Sequence, residues 1–251
     1  MPPVRRRLFA ATAGVAALLA CWWILSVAVP QGFVPGPVVV IARMCALLGN
    51  GLAAHAGASL ARIGVALAAA LLAAVPAGIA LGRSARWNAA LAPVVYVLYP
   101  VPKIALLPVV MLLLGIGNGA RIAIVALILF FQVLVSTRDA ARKVPAPYLL
   151  SLRSLGAGRG HALRFVIMPA ILPELLSSLR IGTGTALAVL FFSETFGTRR
   201  GLGYFVMESW MRLSYVDMFA GVLCLGLCGL LLFLGIDAVE RRLCRWAARP
   251  T

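Results

Sequence analysis

The sequence has little charge and few side chains suited to catalysis. Only 12% of its 251 residues are Asp, Glu, Lys or Arg, about half the share that is typical of a soluble domain. It has two histidines, no Ser/His/Asp set, no paired carboxylates at a common depth and no His/Cys cluster with metal-ligand spacing. These absences argue against an enzyme, a resident metal or cofactor, and a carrier driven by buried acid relays.

Two further signatures of known membrane and nucleotide-binding proteins are missing. The chain shows no internal repeat of the kind that builds many secondary carriers. The run Gly115–Gly119 reads Gly-x-Gly-x-Gly, but it lies between apolar runs with no strand before it. It therefore predicts an external turn and no dinucleotide loop. If such a chain moves a solute, the energy comes from a partner.

What the sequence has in excess is apolar residues in long runs. They make up 63% of the chain, and the mean hydropathy is +1.01. Because about 20 helical residues cross the hydrocarbon core of a bilayer, we predict an all-α membrane protein with about six transmembrane helices. The predicted spans are Leu8–Val29, which serves as an N-terminal anchor, Ile63–Leu81, Ala89–Ile116, Ile122–Thr137, Ile171–Phe192 and Met218–Ile236.

The formal charge of +16 is distributed unevenly between the two sides of these spans. Most arginines, among them Arg83, Arg138 and the basic tail Arg241–Arg249, fall on one side. By the positive-inside rule, this side and both termini are cytoplasmic. The charge is thus a topology signal that implies contact with lipid and no nucleic acid.

The third predicted span is interrupted by the stretch Tyr99–Pro108, which contains three prolines and Lys103. Non-helical backbone at membrane depth is tolerated only where protein or water satisfies its polar groups. The break therefore suggests a solute pathway or a mechanical joint, with Pro102, Lys103 and Pro108 as candidates. The alternative is an ordinary kink from which Lys103 extends to the interface.

The fifth predicted span carries Arg180 below the membrane surface. Ionisable groups inside a membrane usually face a bundle interior or water. Arg180 precedes a small polar face with Thr183 and Thr185, which could line a passage. The alternative is that Arg180 extends toward the cytoplasmic phosphates.

Two glutamates flank the same span. Glu174 follows Pro173, and we interpret it as a cap in the first helical turn, where a carboxylate meets exposed N–H groups. Glu194 lies near the outer mouth and is a further pathway or gate candidate. The alternative, which we favour, is a structural ion pair with Arg199 or Arg200.

The stretch Leu150–Pro173 is polar, basic and glycine-containing in its first half, although it lies between apolar runs. It predicts one short surface helix over Ser151–Arg164, with Gly156 as a bare spot where another protein can approach. Pro169 and Pro173 then mark the entry into the fifth span because neither can donate a backbone hydrogen bond.

The spacing of this stretch resembles the loop motif of the membrane subunits of ABC importers, written E-A-A, three residues, G, nine residues, I-x-L-P. The motif falls on Leu150, Ser151, Leu152, Gly156, Val166, Met168 and Pro169, and Ala157 and Arg159 lie inside it. Leu150 replaces the acidic residue of the motif. Importer subunits of the sulfonate, taurine and nitrate type also carry a similar P-x-x-A-x-x-P, here Pro102, Ala105 and Pro108, and a stretch like Glu194-x-x-Gly197. The resemblance spans about Pro35–Arg242.

The resemblance implies a fold and a set of partners. The chain would be a single permease domain over residues 1–251, in a bacterial inner membrane, with a cytoplasmic coupling helix like that of type I ABC importers. A second copy would complete a homodimer, a dimer of a separate ATPase subunit would dock on the coupling helix, and a solute-binding protein would deliver substrate from outside. Small anions such as an alkanesulfonate, taurine or nitrate are the expected cargo, and six basic against three acidic residues on the outer side suit an anion. A membrane scaffold and a lipid-modifying enzyme are the alternatives.

Overall fold

A computed structural model describes residues 3–29 and 32–247, and Arg249 of the basic tail lies outside this range. Over the described residues, the backbone forms helices joined by turns and contains no β-strand. This confirms the predicted all-α class. The helices are α1 (Pro3–Ala28), α2 (Pro37–Leu47), α3 (Ala53–Arg83), α4 (Ala85–Leu98), α5 (Leu107–Leu114), α6 (Asn118–Lys143), α7 (Ala146–Ser154), α8 (Arg159–Ala162), α9 (Met168–Glu194), α10 (Leu202–Met211) and α11 (Tyr215–Leu243).

Four helical stretches are long and apolar enough to cross a membrane: Pro37–Arg83, Asn118–Lys143, Arg159–Glu194 and Tyr215–Leu243. A fifth candidate is the pair α4 and α5, which is bent by 84°. The first predicted span falls on α1, which runs over Pro3–Ala28 and contains the apolar stretch Thr12–Ala28.

The break in the third predicted span is confirmed. Helix α4 ends at Leu98, and a short 3₁₀ turn over Lys103–Leu106 leads into α5. Pro102 caps this turn, and Pro108 occupies the first turn of α5, where its missing N–H has no intrahelical acceptor to lose. The prolines thus stand where one helix must stop and another can start.

The chain divides into two compact units, one with described residues up to 58 and 199–227, the other with 59–198 and from 228 onward. In the first unit, the Trp22 indole donates a hydrogen bond of 3.1 Å to the Pro35 carbonyl, and the His55 ring stacks on Tyr204. The Arg43 guanidinium pairs with the Asp217 carboxylate at 2.6 Å. Aromatic and ionic contacts therefore join segments that are distant in sequence.

The second unit is built on an antiparallel pair, α6 and α9. Three buried clusters run along the pair; their members on α6 and α9 are Ile124, Val125 and Leu129 with Ala186, Val189 and Leu190; Val133 and Leu134 with Leu175, Leu176 and Leu179; and Ala140 and Ala141 with Ile171. Residue numbers rise along α6 as they fall along α9. Two polar contacts follow the same register: Gln132 Nε2 donates to the Ser178 carbonyl at 3.2 Å, and Ser136 Oγ donates to the Glu174 carbonyl at 3.3 Å.

Helix α3 approaches α6 closely through glycines. A Cβ on Gly78 would lie 2.7 Å from the Thr137 Cβ, and one on Gly82 would lie 2.6 Å from the Arg138 carbonyl oxygen. Small residues permit this approach, and van der Waals packing is the main attraction between helices in lipid. The alanine- and glycine-rich helix α3 therefore packs directly against α6.

Candidate functional site

The segment between α6 and α9, hereafter the coupling segment (residues 144–169), is not one continuous helix. Helix α7 ends at Ser154, so the single helix predicted over Ser151–Arg164 is wrong. Gly156 has φ +77°, and the Ala157 N–H donates to the Leu152 carbonyl at 3.2 Å. Together these features form a Schellman cap, in which a left-handed residue closes a helix. The sequence reasoning placed Gly156 inside a helix because it considered its missing side chain and not its φ.

The residues of the loop motif divide between the two faces of the coupling segment. Leu150, Ser151, Gly156 and Arg159 are exposed, whereas Leu152, Ala157, Val166, Met168 and Pro169 are partly buried. Neighbours illustrate the division: Leu149 is 8% exposed and Leu150 61%. Leu149 packs in the buried cluster that contains Ala141 and Ile171, and this contact ties the segment to the end of α6 and the start of α9.

The outer face of the coupling segment presents apolar side chains. Tyr148 is 64% exposed, Leu155 84% and Phe165 60%. An exposed apolar set beside arginines is typical of a surface that contacts lipid or another protein.

Glu174 does not cap the fifth span. Helix α9 begins at Met168, so Glu174 lies beyond its first turn, and both of its carboxylate oxygens face Lys143 Nζ at 3.1 and 3.2 Å. The sequence reasoning began the helix at Pro173, but proline is tolerated inside α9. The pair is exposed, with Lys143 at 69% and Glu174 at 41%.

Arg180 faces two carboxylates on α11. Its guanidinium donates to Asp237 at 3.1 Å and to Glu240, and it lies over the Phe233 ring at 5.4 Å. The sequence reasoning left a passage-lining side chain and a cation extending to phosphates as alternatives. In the structure, an ion pair neutralises Arg180, and Arg180 also lines a cleft of about 380 Å³ together with Thr183.

The two threonines beyond Arg180 differ in exposure. Thr183 is buried, and its hydroxyl donates to the Leu179 carbonyl one turn back at 2.8 Å. Thr185 is exposed and lines a cleft of about 420 Å³ together with Lys103, Tyr99, Phe131 and Gln132. Of the predicted pathway residues, the structure therefore brings Lys103 and Thr185 to one cleft.

The ammonium of Lys103 is held by neutral groups. It donates to the Tyr99 carbonyl and lies 4.9 Å from the Phe131 ring centroid and 5.2 Å from that of Tyr99. Throughout the described part of the chain, no carboxylate lies within 4 Å of this ammonium. Pro102 is exposed at the edge of the break, and Pro108 starts α5.

Glu194 lies at the end of α9 and is fully buried. It pairs with Arg62, whose Nη1 lies 2.5 Å from Glu194 Oε1. The sequence analysis did not name Arg62 as a partner of Glu194. The Ser59 hydroxyl lies 2.9 and 2.8 Å from its two carboxylate oxygens. Arg62 Nε also donates to Asn118 Oδ1 at 2.9 Å. Glu194, Arg62 and Ser59 thus form a buried polar cluster, with Asn118 at its exposed edge.

Arg121 completes this cluster without a carboxylate bond. It donates to the carbonyl oxygens of Ser193 at 3.1 Å and Phe196 at 2.6 Å, just where α9 ends. The last carbonyls of a helix lack intrahelical donors and carry partial negative charge, which favours a cation there. Arg121 therefore ties the start of α6 to the end of α9.

Sequence reasoning missed Arg62, Arg121 and Gln132 as functional residues. It assigned Arg62 and Arg121 to the outer side, the same side as Glu194, and this shared depth was the available signal. It did not pair them, because a partner more than 70 residues away cannot be read from local spacing. Gln132 gave no such signal, being a lone polar residue in an apolar run.

Comparisons with known proteins identify relatives of the chain. Residues 67–246 match the family described as "Binding-protein-dependent transport system inner membrane component". The taurine transport system permease protein of Escherichia coli is 34% identical over 97% of this chain and 92% of its own length. The nitrate import permease protein of Synechocystis is 26% identical over 87% of this chain and 82% of its own length.

The fold has a counterpart among solved structures. An inward-facing crystal form of the MetNI methionine ABC transporter superposes with a TM-score of 0.60 at 19% identity, covering 82% of this chain and 99% of its own. At this identity the match concerns the fold alone. None of these matches favours the scaffold or the lipid-modifying enzyme considered from the sequence.

Proposed function

The chain belongs to the family of inner-membrane components of binding-protein-dependent transport systems, and we propose that its cargo is a small oxyanion such as a sulfonate or nitrate. It is a multi-pass membrane protein and the permease subunit of an ABC importer. It is not itself the ATPase, which resides in a separate subunit. A permease of this family works with that ATPase and with a solute-binding protein.

The coupling segment is the proposed docking site of the ATPase. The observation that carries this proposal is its two-faced construction, with Leu149 buried against α6 and α9 while Tyr148, Leu155 and Phe165 are exposed. A partner that covers the outer face gains apolar burial, and amphipathic segments commonly dock in this way. Leu150, which stands where the family motif has an acid, adds apolar contact in place of an ion pair.

Force on the coupling segment would pass to the bundle through buried contacts. The cluster around Leu149 and Ile167 joins the segment to α6 and α9, and further buried clusters continue along both helices. Packed interiors transmit strain because they contain few voids. Closure of the ATPase would thus move α6 and α9 as one body.

A second copy of the chain is the proposed partner within the membrane. Helix α9 leaves Ile181 (69% exposed) and Phe192 (56%) uncovered, with the exposed Gly184 and Thr185 between them. Small residues allow helices to approach closely in lipid. In the proposed homodimer this face of α9 borders the passage, both termini and the coupling segment are cytoplasmic, and lipid covers the remaining apolar surface.

The cargo class rests on two lines of support. Relatives are named for taurine and nitrate, which both carry an oxyanion. The predicted outer side of this chain also has more basic than acidic residues, which concentrates anions near the entrance.

Substitution of Gly156 tests the docking proposal. We expect Gly156→Val and Gly156→Asn to insert and to purify with the ATPase subunit, but to lose the ATP hydrolysis that the loaded binding protein stimulates. Nothing lies within 4 Å of a Cβ at this position, so either side chain would project toward the docked partner. Valine also strains the left-handed turn by about 1–2 kcal/mol, whereas asparagine tolerates it.

Comparing Gly156→Val with Gly156→Asn distinguishes a requirement for a bare surface from a requirement for the left-handed turn. Loss of stimulated ATP hydrolysis in both variants indicates that docking needs a surface without a side chain at this position. Loss in Gly156→Val alone indicates that docking needs the left-handed turn. The control is Gly235→Val, on α11, which also meets nothing within 4 Å. Normal stimulated hydrolysis in both Gly156 variants would contradict docking at this segment.

A further inference from the structure

Among the described residues, Lys103 lies in the break of a membrane-spanning stretch and has no carboxylate partner. Arg62 pairs with Glu194, and Arg180 pairs with Asp237 and Glu240. Lys103 contacts only a carbonyl and two aromatic faces among the described residues. An unneutralised charge within a membrane-spanning region is costly and usually marks a path for ions or substrates.

The cleft beside Lys103 suits a small oxyanion. Its volume of about 420 Å³ lies within the usual range of small-molecule sites. Gln132 and Thr185 add an amide and a hydroxyl that can donate hydrogen bonds, and the remaining lining residues are aromatic or aliphatic. None of the described residues that line the cleft is acidic, so an anion there is attracted by Lys103 without repulsion from a lining carboxylate.

Lys103 can turn toward a ligand without breaking the fold. Its ammonium sits on a flexible four-carbon stem. Among the described residues, its one hydrogen bond is to the Tyr99 carbonyl, and it also contacts the Tyr99 and Phe131 rings. That carbonyl lies in the turn between α4 and α5, outside the regular hydrogen-bonding ladder of a long helix. Lys103 can therefore exchange the carbonyl for an anion.

A second cleft continues from the first. It has a volume of about 740 Å³, and both are lined by Tyr99. On α6, Ile128 and Gln132 line the first cleft, and Val135 and Arg138 line the second. These positions are three or four residues apart, so they share one face of the helix. The two clefts thus follow a single stripe of α6.

We propose that the Lys103 cleft is an anion-binding site within the transport passage, where the ammonium takes the sulfonate or nitrate group after the binding protein releases it. This inference rests on the proposed function, since it assumes a passage for a small oxyanion. It adds a specificity-determining residue: Lys103 selects for negative charge and holds the cargo between the outer entrance and the second cleft.

The test uses the whole complex of this chain, its ATPase subunit and its binding protein, reconstituted into vesicles. Uptake of ethanesulfonate and of nitrate is measured together with stimulated ATP hydrolysis. We expect Lys103→Gln to lower uptake of the transported probe at least tenfold, while ATP hydrolysis stays within twofold of the unmodified complex. Lys103→Arg, which keeps the charge, should retain most of the uptake.

The chain offers a matched control because it has two lysines, Lys103 and Lys143. Lys143→Gln removes the same group at an exposed position and should transport normally. Undiminished uptake in Lys103→Gln would overturn the site, and so would equal losses in Lys103→Gln and Lys103→Arg, which would indicate a role in shaping the break. If the unmodified complex hydrolyses ATP but takes up neither probe, the proposed cargo class fails instead, and the Lys103 site fails with it.

Discussion

Helix α9 carries a glutamate near each end, and the two are built in opposite ways. Glu194 is fully buried against Arg62, which is 7% exposed. Glu174 is 41% exposed and faces Lys143, which is 69% exposed. The chemistry is the same, a carboxylate against a cation from another helix. The comparison teaches that burial decides whether such a pair fixes the structure or leaves it free to move.

The buried pair has every support that such a pair needs. A charge removed from water is stable only if partners replace its hydration. For Glu194 these are Arg62 and Ser59, and Asn118 accepts a further hydrogen bond from Arg62. Arg121 binds carbonyls beside the same helix end. Three helices, α3, α6 and α9, are thus joined at this end by directional bonds.

The largest effect is expected from Glu194→Gln. It leaves Arg62 buried without its carboxylate, and breaking a buried pair in this way costs about 3–5 kcal/mol. We expect a large drop in the midpoint of thermal unfolding in detergent and a lower yield of folded protein. Glu174→Gln is the matched control, since it makes the same substitution on the same helix. Equal midpoints of thermal unfolding for Glu194→Gln and Glu174→Gln would contradict the claim that the buried pair contributes more to stability than the exposed pair.

A middle effect is expected from Arg180→Gln. Arg180 is 23% exposed and its two carboxylate partners 28% each, between the two glutamate pairs. Its removal leaves Glu240 without its cation, whereas Asp237 keeps the ion pair of 3.1 Å with Arg241. Hydrogen bonds to charged groups contribute about 1.5–3 kcal/mol. Thermal unfolding should show a destabilisation smaller than that of Glu194→Gln.

The control for this variant is Arg86→Gln, at an exposed position in the first turn of α4. It should leave the unfolding midpoint unchanged. A further double variant, Arg180→Gln with Glu240→Gln, should recover part of the loss because it removes the carboxylate that Arg180→Gln leaves without a cation. No recovery would mean that Arg180 stabilises the bundle through its contact with Phe233 and not through charge.

The sequence predicted what depends on local pattern. Long apolar runs predicted the helices, and the prolines around Lys103 predicted the break, because both act within a few residues. The buried cluster was out of reach, since Glu194 and Arg62 are 132 residues apart. The helix end at Gly156 was missed for a different reason: a glycine after polar helix formers fits both a surface helix and a left-handed cap, and only φ separates the two.

The smallest effect is expected from Glu174→Gln. Exposed pairs contribute about 0–1 kcal/mol because water and salt screen them, so the unfolding midpoint should change little and should be no more sensitive to salt than that of the unmodified protein. Uptake by the complex should also persist. The reason is that buried clusters already hold α6 and α9 together beside the coupling segment, so the exposed Glu174–Lys143 pair is not needed for the two helices to move as one body. A strong loss of stability in Glu174→Gln would show that this exposed pair holds its end of the helices as firmly as the buried pair at Glu194, and exposure would then not explain the difference between the two glutamates.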